Sequence, residues 1–264
     1  MRRLRARPRK VADGFLFSGH KGVFLNHWET GERKFVSKLL PNVDLFVNFG
    51  AHHGYYCCMA LKANVQTIAF EPIPENCAMI AKNVRENGLE ENFSLFPMAV
   101  SNKTGIVEMY GLNRPTTSLL KGCSPTSHLK TWHVPVHKID DVVQASAFQG
   151  KKILVLMDIE GSEAFALECG KTLLNSDPKP IWIIEIFPKK RYEHSPAHRV
   201  FEMMFDAGYI AFSFDDSLNG QRGSQSSLVE ITGDVVNLRF EEGGNFVFCS
   251  NEMTDAFAHL FRRT

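Results

Sequence analysis

Three short segments carry side chains whose types and spacing suit one another chemically. In VNFGAHHGYY (47–56) an apolar run ends in G-A-x-x-G and opens a helical stretch. Glycines there permit a tight turn with close backbone approach, and the N-terminus of the following helix offers free N–H groups to a polar or anionic ligand. Such a turn is a weak signal alone, because a strand-to-helix turn with no ligand reads the same way. Glu71 strengthens it: 21 residues after Gly50, it ends the next apolar run, IAFEP. An acid about 20 residues beyond a glycine turn is where doubly wound folds grip ribose hydroxyls. The full G-x-G-x-x-G is missing, which favours a nucleoside without a pyrophosphate. S-adenosylmethionine (adenine, ribose, then a sulfonium amino acid) is such a ligand. The third segment, MDIEGSE (157–163), brings Asp158 and Glu160 to the end of a further apolar run, and Glu185 stands at the end of another in IIEI. In open α/β sheets ligands bind beyond the carboxyl ends of the strands, so these acids face one mouth. The other reading of the acids is that they cap the helix after Ser162 and pair with Lys or Arg.

The elements that must hold these groups alternate. Buried strands are expected at 45–49, 65–70, 93–100, 151–159, 180–186, 209–214 and 245–250, from short apolar runs bounded by turn residues. Helices are expected at 55–63, at Pro74–Asn87 with Pro74 in the first turn, from Ser162 to about Leu174, at 198–207 and at 252–262. Asn87-Gly88 ends the second of these, and Leu89 can close a Schellman contact. A hairpin is expected around Gly105. This pattern is the doubly wound α/β one: a mostly parallel sheet of about seven strands with helices on both faces.

In order along the chain, VNFGAHHGYY, IAFEPIPEN, KNVRENGL, PMAVSNKTG, T-S-L (117–119), KIDD (138–141), LMDIEGSE and IIEI resemble the FkbM family of S-adenosylmethionine-dependent methyltransferases, over about residues 43–190. The resemblance implies the class I methyltransferase fold, a Rossmann-like seven-stranded sheet whose last strand, NFVFCS, runs antiparallel. It implies O-methylation of a hydroxyl, on a sugar, a glycan or a small natural product, with S-adenosyl-L-methionine as cofactor and no metal. It puts Gly50, Ala51 and Gly54 at the methionine end of the cofactor, Glu71 on the ribose, and Met98 and Ala99 near adenine, with Asn48, His52, Tyr55 and Asp158 also among the cofactor-binding residues. Asp158 and Glu160 match the family's D-x-E-G beside the transferred methyl. Two residues depart from the family pattern: Asn48 stands where Asp is usual, keeping the shape but losing a negative charge, and His52 stands where Asn is usual. Asp158 is the first choice for the base that takes the hydroxyl proton, then Glu160, with Glu185 and His194 behind them. Phe187, Tyr192 and the 112–133 loop are expected to form the acceptor wall.

Composition agrees with a globular enzyme: 44% hydrophobic and 22% charged residues over 264. The net charge of +1 conceals a division, because MRRLRARPRK carries six positive charges and no acid. The remainder, from Val11, holds 24 basic and 29 acidic residues, a balance of −5. An acidic body argues against a nucleic-acid groove, although the arm alone could touch phosphates or an anionic membrane surface. The plain reading is a solvated terminus. Neither a signal-peptide core nor a membrane span is read in the sequence, and the six scattered cysteines fit a reducing compartment, so a cytoplasmic location is expected. His128, His133 and His137 lack a recognisable metal-ligand spacing.

The division expected is a basic arm and extension over 1–40 and a methyltransferase domain over 41–264. Two other functions stay open at this point. Asn48 and His52 suit a cofactor-binding, non-catalytic partner protein, and the basic arm suits a nucleic-acid methyltransferase. Against the latter, an adenine-type enzyme expects Asn/Asp-Pro-Pro-aromatic after the fourth strand, where Asp158-Ile159-Glu160-Gly161 stands.

Overall fold

The run LFVNF forms β3 (Leu45–Phe49), buried along its whole length at the centre of the fold. A computed structural model describes residues 7–24, 29–112, 117–123, 126–143, 146, 148–187, 196, 198–214, 228–231, 243–257 and 261–262, and the elements below are those of the described residues. After β3 the chain makes α3 (Tyr55–Lys62), β4 (Gln66–Phe70), α4 (Pro74–Glu86) and β5 (Phe93–Phe96). Later come β9 (Ile153–Met157), β10 (Ile181–Ile186), α8 (His198–Asp206), β11 (Ile210–Phe214), β12 (Leu228–Ile231), β13 (Gly244–Cys249), α9 (Asn251–Ala256) and β14 (Phe261–Arg262). Their order across one sheet is β14-β12-β11-β13-β10-β9-β3-β4-β5. From β5 to β10 every pairing is parallel, and β13 runs antiparallel to both β10 and β11. This is the class I methyltransferase arrangement, reversed strand included, with β12 and β14 added at the far edge.

Side-chain alternation divides the core. Phe46, Leu154, Leu156, Ile183 and Val247 lie in one apolar layer, and Val47, Val155, Met157, Ile184 and Phe248 in the other. Both faces of these strands are therefore buried, the condition under which parallel strands read as continuous apolar runs. The end of α4 is as expected: Gly88 has φ +63°, and the Leu89 N–H reaches back to the Val84 carbonyl at 3.2 Å. The N-terminal extension supplies β1 (Arg9–Lys10), β2 (Leu16–Phe17), α1 (Lys21–Phe24) and α2 (Thr30–Leu39). Its Val11, Phe15, Phe17, Phe35 and Leu39 belong to the same apolar layer as Phe46. The basic arm through residue 6 lies outside the described residues.

Four local expectations change. The run 93–100 is not one strand: the chain turns at Pro97, the Met98 N–H closing on Phe96 O at 2.9 Å. Ala99–Val100 becomes β6 of a separate sheet. That sheet has the order β6-β8-β7, so β8 (Thr131–His137) lies between β6 and β7 (Gly105–Tyr110), and no simple hairpin forms at Gly105. The helix after Ser162 splits into α6 (Glu163–Leu167) and α7 (Lys171–Leu174), and the Ser162 side chain makes no capping bond. Gly170 separates the two, and α5 (Ile139–Val142) captures the new start: Asp140 accepts the N–H groups of Lys171 and Thr172 at 3.0 and 2.9 Å. At the C-terminus the helix stops at Ala256 and the chain adds β14, pairing with β12.

No helix among the described residues is long and apolar enough to cross a membrane. Because Asp140 serves two otherwise unpaired helix-start donors, Asp140→Ala is expected to destabilise the fold by about 1–2 kcal/mol. Thermal melting should record that as a loss of several degrees, with cofactor affinity unchanged.

Candidate active site

The alternation that buries the sheet also selects the site. Continuing each strand past its last apolar residue on the Phe46 face reaches Asn48 on β3, Asp158 after β9, Glu185 on β10 and Asn245 on β13. Glu185 and Asn245 are direct cross-strand partners. A cavity opens over this layer, and Asn48, Gly50, Ala51, His52, Tyr55, Glu71, Met98, Ala99, Asp158 and Glu160 all line it. Gly54 and Glu185, also singled out from the sequence, are not among the lining residues.

The glycine turn works differently from the sequence expectation. Gly50 has φ +85°, and a Cβ there would lie 1.8 Å from the Asp158 carbonyl oxygen. A Cβ on Gly54 would press on Ile80 at 3.1 Å. Packing against backbone requires glycine at 50, and the left-handed φ of +78° favours it at 54. The amides are also committed: Gly50 and Ala51 donate to Phe70 O at 2.9 and 3.0 Å, and Gly54 to Ala51 O at 2.7 Å. His52, at φ +49°, donates its N–H to Glu71 Oε2 at 2.8 Å.

Glu71 is 4% exposed. Its Oε1 accepts from the Ile73 N–H at 2.9 Å and from Asn76 Nδ2 at 3.2 Å. Burial nevertheless outweighs these bonds and pushes its carboxyl up to about 7. Two neighbouring acceptors, Asn48 Oδ1 and Asn76 Oδ1, are buried with no hydrogen-bond partner, and both residues line the cavity. The wall thus carries acceptors that donors on a ligand or water would satisfy.

At the other end, oxygens of Asp158, Glu160 and Glu185 lie within 4.8 Å of one another, close enough to surround a cation. Burial, then the charge and hydrogen bond of Glu185, then Glu160 and Glu29, raise Asp158 well above the usual carboxylate range. Glu29 is raised to about 8, mainly by burial, although the Tyr56 hydroxyl donates to its Oε2 at 2.7 Å. Glu32 accepts from Asn245 Nδ2 at 3.1 Å. A family model described as the methyltransferase FkbM domain matches residues 48–211, more than half of the 264.

The chain belongs to the FkbM methyltransferase family. No curated protein matches it in sequence. Among solved structures, an S-adenosylmethionine-dependent methyltransferase from Agrobacterium tumefaciens aligns at 11% identity over 92% of this chain and 69% of that one, with a TM-score of 0.46. The precorrin-6y C5,15-methyltransferase from Geobacter metallireducens aligns at 9% identity over 88% and 91%, with a TM-score of 0.45. An O-methyltransferase from Bacillus cereus in complex with SAH aligns at 10% over 83% and 79%, also with a TM-score of 0.45.

S-adenosylmethionine is the cofactor of this family, and the residues of this FkbM methyltransferase fit it. Its ribose hydroxyls and ammonium group are donors and its sulfonium is a cation, matching a wall of unfilled acceptors and acids.

Sequence reasoning missed several groups. Asn76 stood in the quoted PEN, but nothing marked its oxygen as unfilled. Glu29 and Glu32 approach from the extension, along with Phe17, His20 and Val23, and no local pattern connects them to residues over a hundred positions away. From the expected acceptor wall, Thr117 and Leu119 reach the cavity. Phe187 is buried and packs against Gly161, where a Cβ would lie 3.5 Å from it. Tyr192, His194 and residues 113–116 and 124–125 of the acceptor loop lie outside the described residues.

The raised carboxyls carry a sign. Glu71 and Glu29 hold their protons more tightly folded than unfolded, so their contribution to stability is full below about pH 4.5 and is lost as pH rises through about 7 and 8. Chemical denaturation of the ligand-free protein at pH 5 and pH 8 should show that loss, and Glu71→Gln should reduce the slope by about 1–3 kcal/mol.

Proposed function

We propose that this chain transfers a methyl group from S-adenosylmethionine to a hydroxyl of a sugar, glycan or small natural product. The observation that carries the reading is the Asp158–Glu185 carboxyl pair, whose oxygens lie within 4.8 Å of each other and of Glu160, with Asp158 and Glu160 both on the cavity wall. A carboxyl held above the ordinary carboxylate range is a stronger base, better matched to taking a proton from a hydroxyl than an ordinary carboxylate.

Bound S-adenosylmethionine supplies a methyl on a sulfonium, open to in-line displacement. Glu71 Oε2 and Asn76 Oδ1 accept from the two ribose hydroxyls. Met98 and Ala99 flank the adenine, and Asn48 Oδ1 accepts a donor at the methionine end. Gly50, Ala51, Gly54, His52 and Tyr55 shape that end of the cavity through backbone and ring packing. Asp158 takes the hydroxyl proton as the oxygen attacks, and Glu185 stabilises the protonated form by sharing it. Glu160 stands beside the path of transfer. Alignment of the hydroxyl with the methyl supplies much of the acceleration. Asn48 keeps the hydrogen-bonding atom even without the usual charge, which favours an active enzyme over a non-catalytic partner. In this reading residues 41–264 form the methyltransferase domain, with 1–40 as its arm and extension. The six free thiols support a reducing, cytoplasmic setting.

Titration calorimetry should show S-adenosylmethionine binding to the wild type, and Glu71→Gln should weaken it about 10–100-fold through loss of charged hydrogen bonds. Absence of binding at millimolar ligand would sink the reading. With a sugar or polyketide-like acceptor, Asp158→Asn should lower kcat by about 10²–10⁴. The wild-type rate should rise with pH as Asp158 loses its proton. Full turnover by Asp158→Asn rejects Asp158 as the base.

A further inference from the structure

The turn that delivers Glu160 is strained. Glu160 has φ +59° and Gly161 φ +98°, and for a residue with a Cβ the left-handed region costs about 1–2 kcal/mol. Such a conformation persists only where its surroundings over-determine it. Here they do, through two side chains outside the cavity. Glu163, 2% exposed, accepts the N–H groups of Ile159 and Gly161 on one oxygen, Oε1, both at 3.1 Å. Ser118, 1% exposed, donates its hydroxyl to the Glu160 carbonyl at 2.6 Å, and the Cys123 thiol approaches the same carbonyl at 3.6 Å. Ser118 is itself fixed to β7, exchanging backbone bonds with Tyr110 at 2.7 and 3.1 Å. A Cβ on Gly161 would meet Leu120 at 3.3 Å and Cys123 at 3.4 Å, so the 117–123 segment lies flat against the turn.

We infer that Glu163 and Ser118 are positioning residues that brace the Asp158–Gly161 turn from both sides and aim the Glu160 carboxylate at the site of methyl transfer. Glu163 gathers the two amides flanking Glu160, and Ser118 holds the carbonyl between them. The small sheet therefore does more than wall the acceptor side: through Ser118 it is mechanically joined to the acid turn. A buried carboxylate suits the task, since charge-assisted bonds to two amides are stronger than neutral ones. The third acid of MDIEGSE thereby acquires a role distinct from the first two. The inference rests on the methyltransferase reading for what Glu160 is aimed at, but the brace itself can be tested without it.

Two measurements on the full-length protein decide the matter. Hydrogen exchange of the ligand-free protein should show the 159–161 amides exchanging about tenfold faster in Glu163→Ala and Ser118→Ala, with Glu163→Gln, whose carbonyl still accepts both amides, close to wild type. Calorimetry then compares S-adenosylhomocysteine with sinefungin, which carries an amine where the methyl-bearing sulfonium would be. The preference for sinefungin should fall about tenfold in Glu163→Ala and Ser118→Ala as Glu160 is misaimed. It should be retained in Glu163→Gln and Ser118→Thr, with S-adenosylhomocysteine affinity unchanged throughout. A purely structural role would lower the melting temperature and leave that preference unmoved, which would overturn the inference. Unchanged exchange in both alanine variants overturns it too. Should Glu163→Ala fail to fold, Ser118→Ala carries both measurements. If the wild type binds neither ligand at millimolar concentration, the cofactor reading fails and with it the aim assigned to Glu160, while exchange still decides the brace.

Discussion

At the carboxyl ends of β3 and β9 two backbones touch. The Asp158 carbonyl occupies the space where a side chain on residue 50 would be, while the Asp158 N–H bonds to Phe49 O at 3.0 Å. This contact holds the turn after β3 and the acid turn after β9 as one body. From the other side β4 takes up the same turn, with Phe70 O receiving two of its amides and Glu71 a third. Asn48, Glu71 and Asp158 on the cavity wall hang from these three adjoining strands, so the spacing between Glu71 and the Asp158–Glu160 turn is set by sheet geometry.

A consequence is the chemical character of the cavity. A turn that binds pyrophosphate keeps its amides free for the ligand. Here the amides at positions 50, 51, 52 and 54 are used internally, and the wall presents the side-chain oxygens of Asn48, Asn76, Glu71, Asp158 and Glu160. Such a surface is complementary to hydroxyls, ammonium groups and cations. It also explains why so many carboxyls are raised. Crowding acids in a desolvated space penalises each charge, and the cost is contained by sharing protons and by donors such as the Tyr56 hydroxyl.

The extension completes the enclosure. Asn83 on α4 and Asn87 at its C-cap bind the β2 segment as a neighbouring strand would. Asn83 pairs with both backbone groups of Ser18, and Asn87 with both of Leu16. Asp13 bonds Arg33 and the Tyr55 hydroxyl, fastening the segment to α2 and α3. The N-terminal residues therefore share the core of the layer beneath the cavity, and Phe17 and Val23 become cavity wall.

Most of the sheet was legible because buried parallel strands leave an unambiguous mark: LFVNF, ILVLM and IWIIEI are apolar on both faces, and little else in a chain reads that way. The residues at their ends, Asn48, Asp158 and Glu185, were legible for the same reason, since a polar residue closing such a run must lie at the mouth. Where the reading failed, the deciding interaction was remote. Pro97 redirects a strand into another sheet, Asp140 restarts a helix 31 positions later, and Glu29 and Glu32 reach the acids from the far end of the chain. Residue types and periods along the sequence determined the fold class, the family and the acids at the strand ends. Only the tertiary structure decided that Gly50 answers to packing, that the turn's amides are spent, and that Glu163 and Ser118 hold Glu160. Those facts depend on which backbone groups meet across the fold, and no spacing along the chain encodes such meetings.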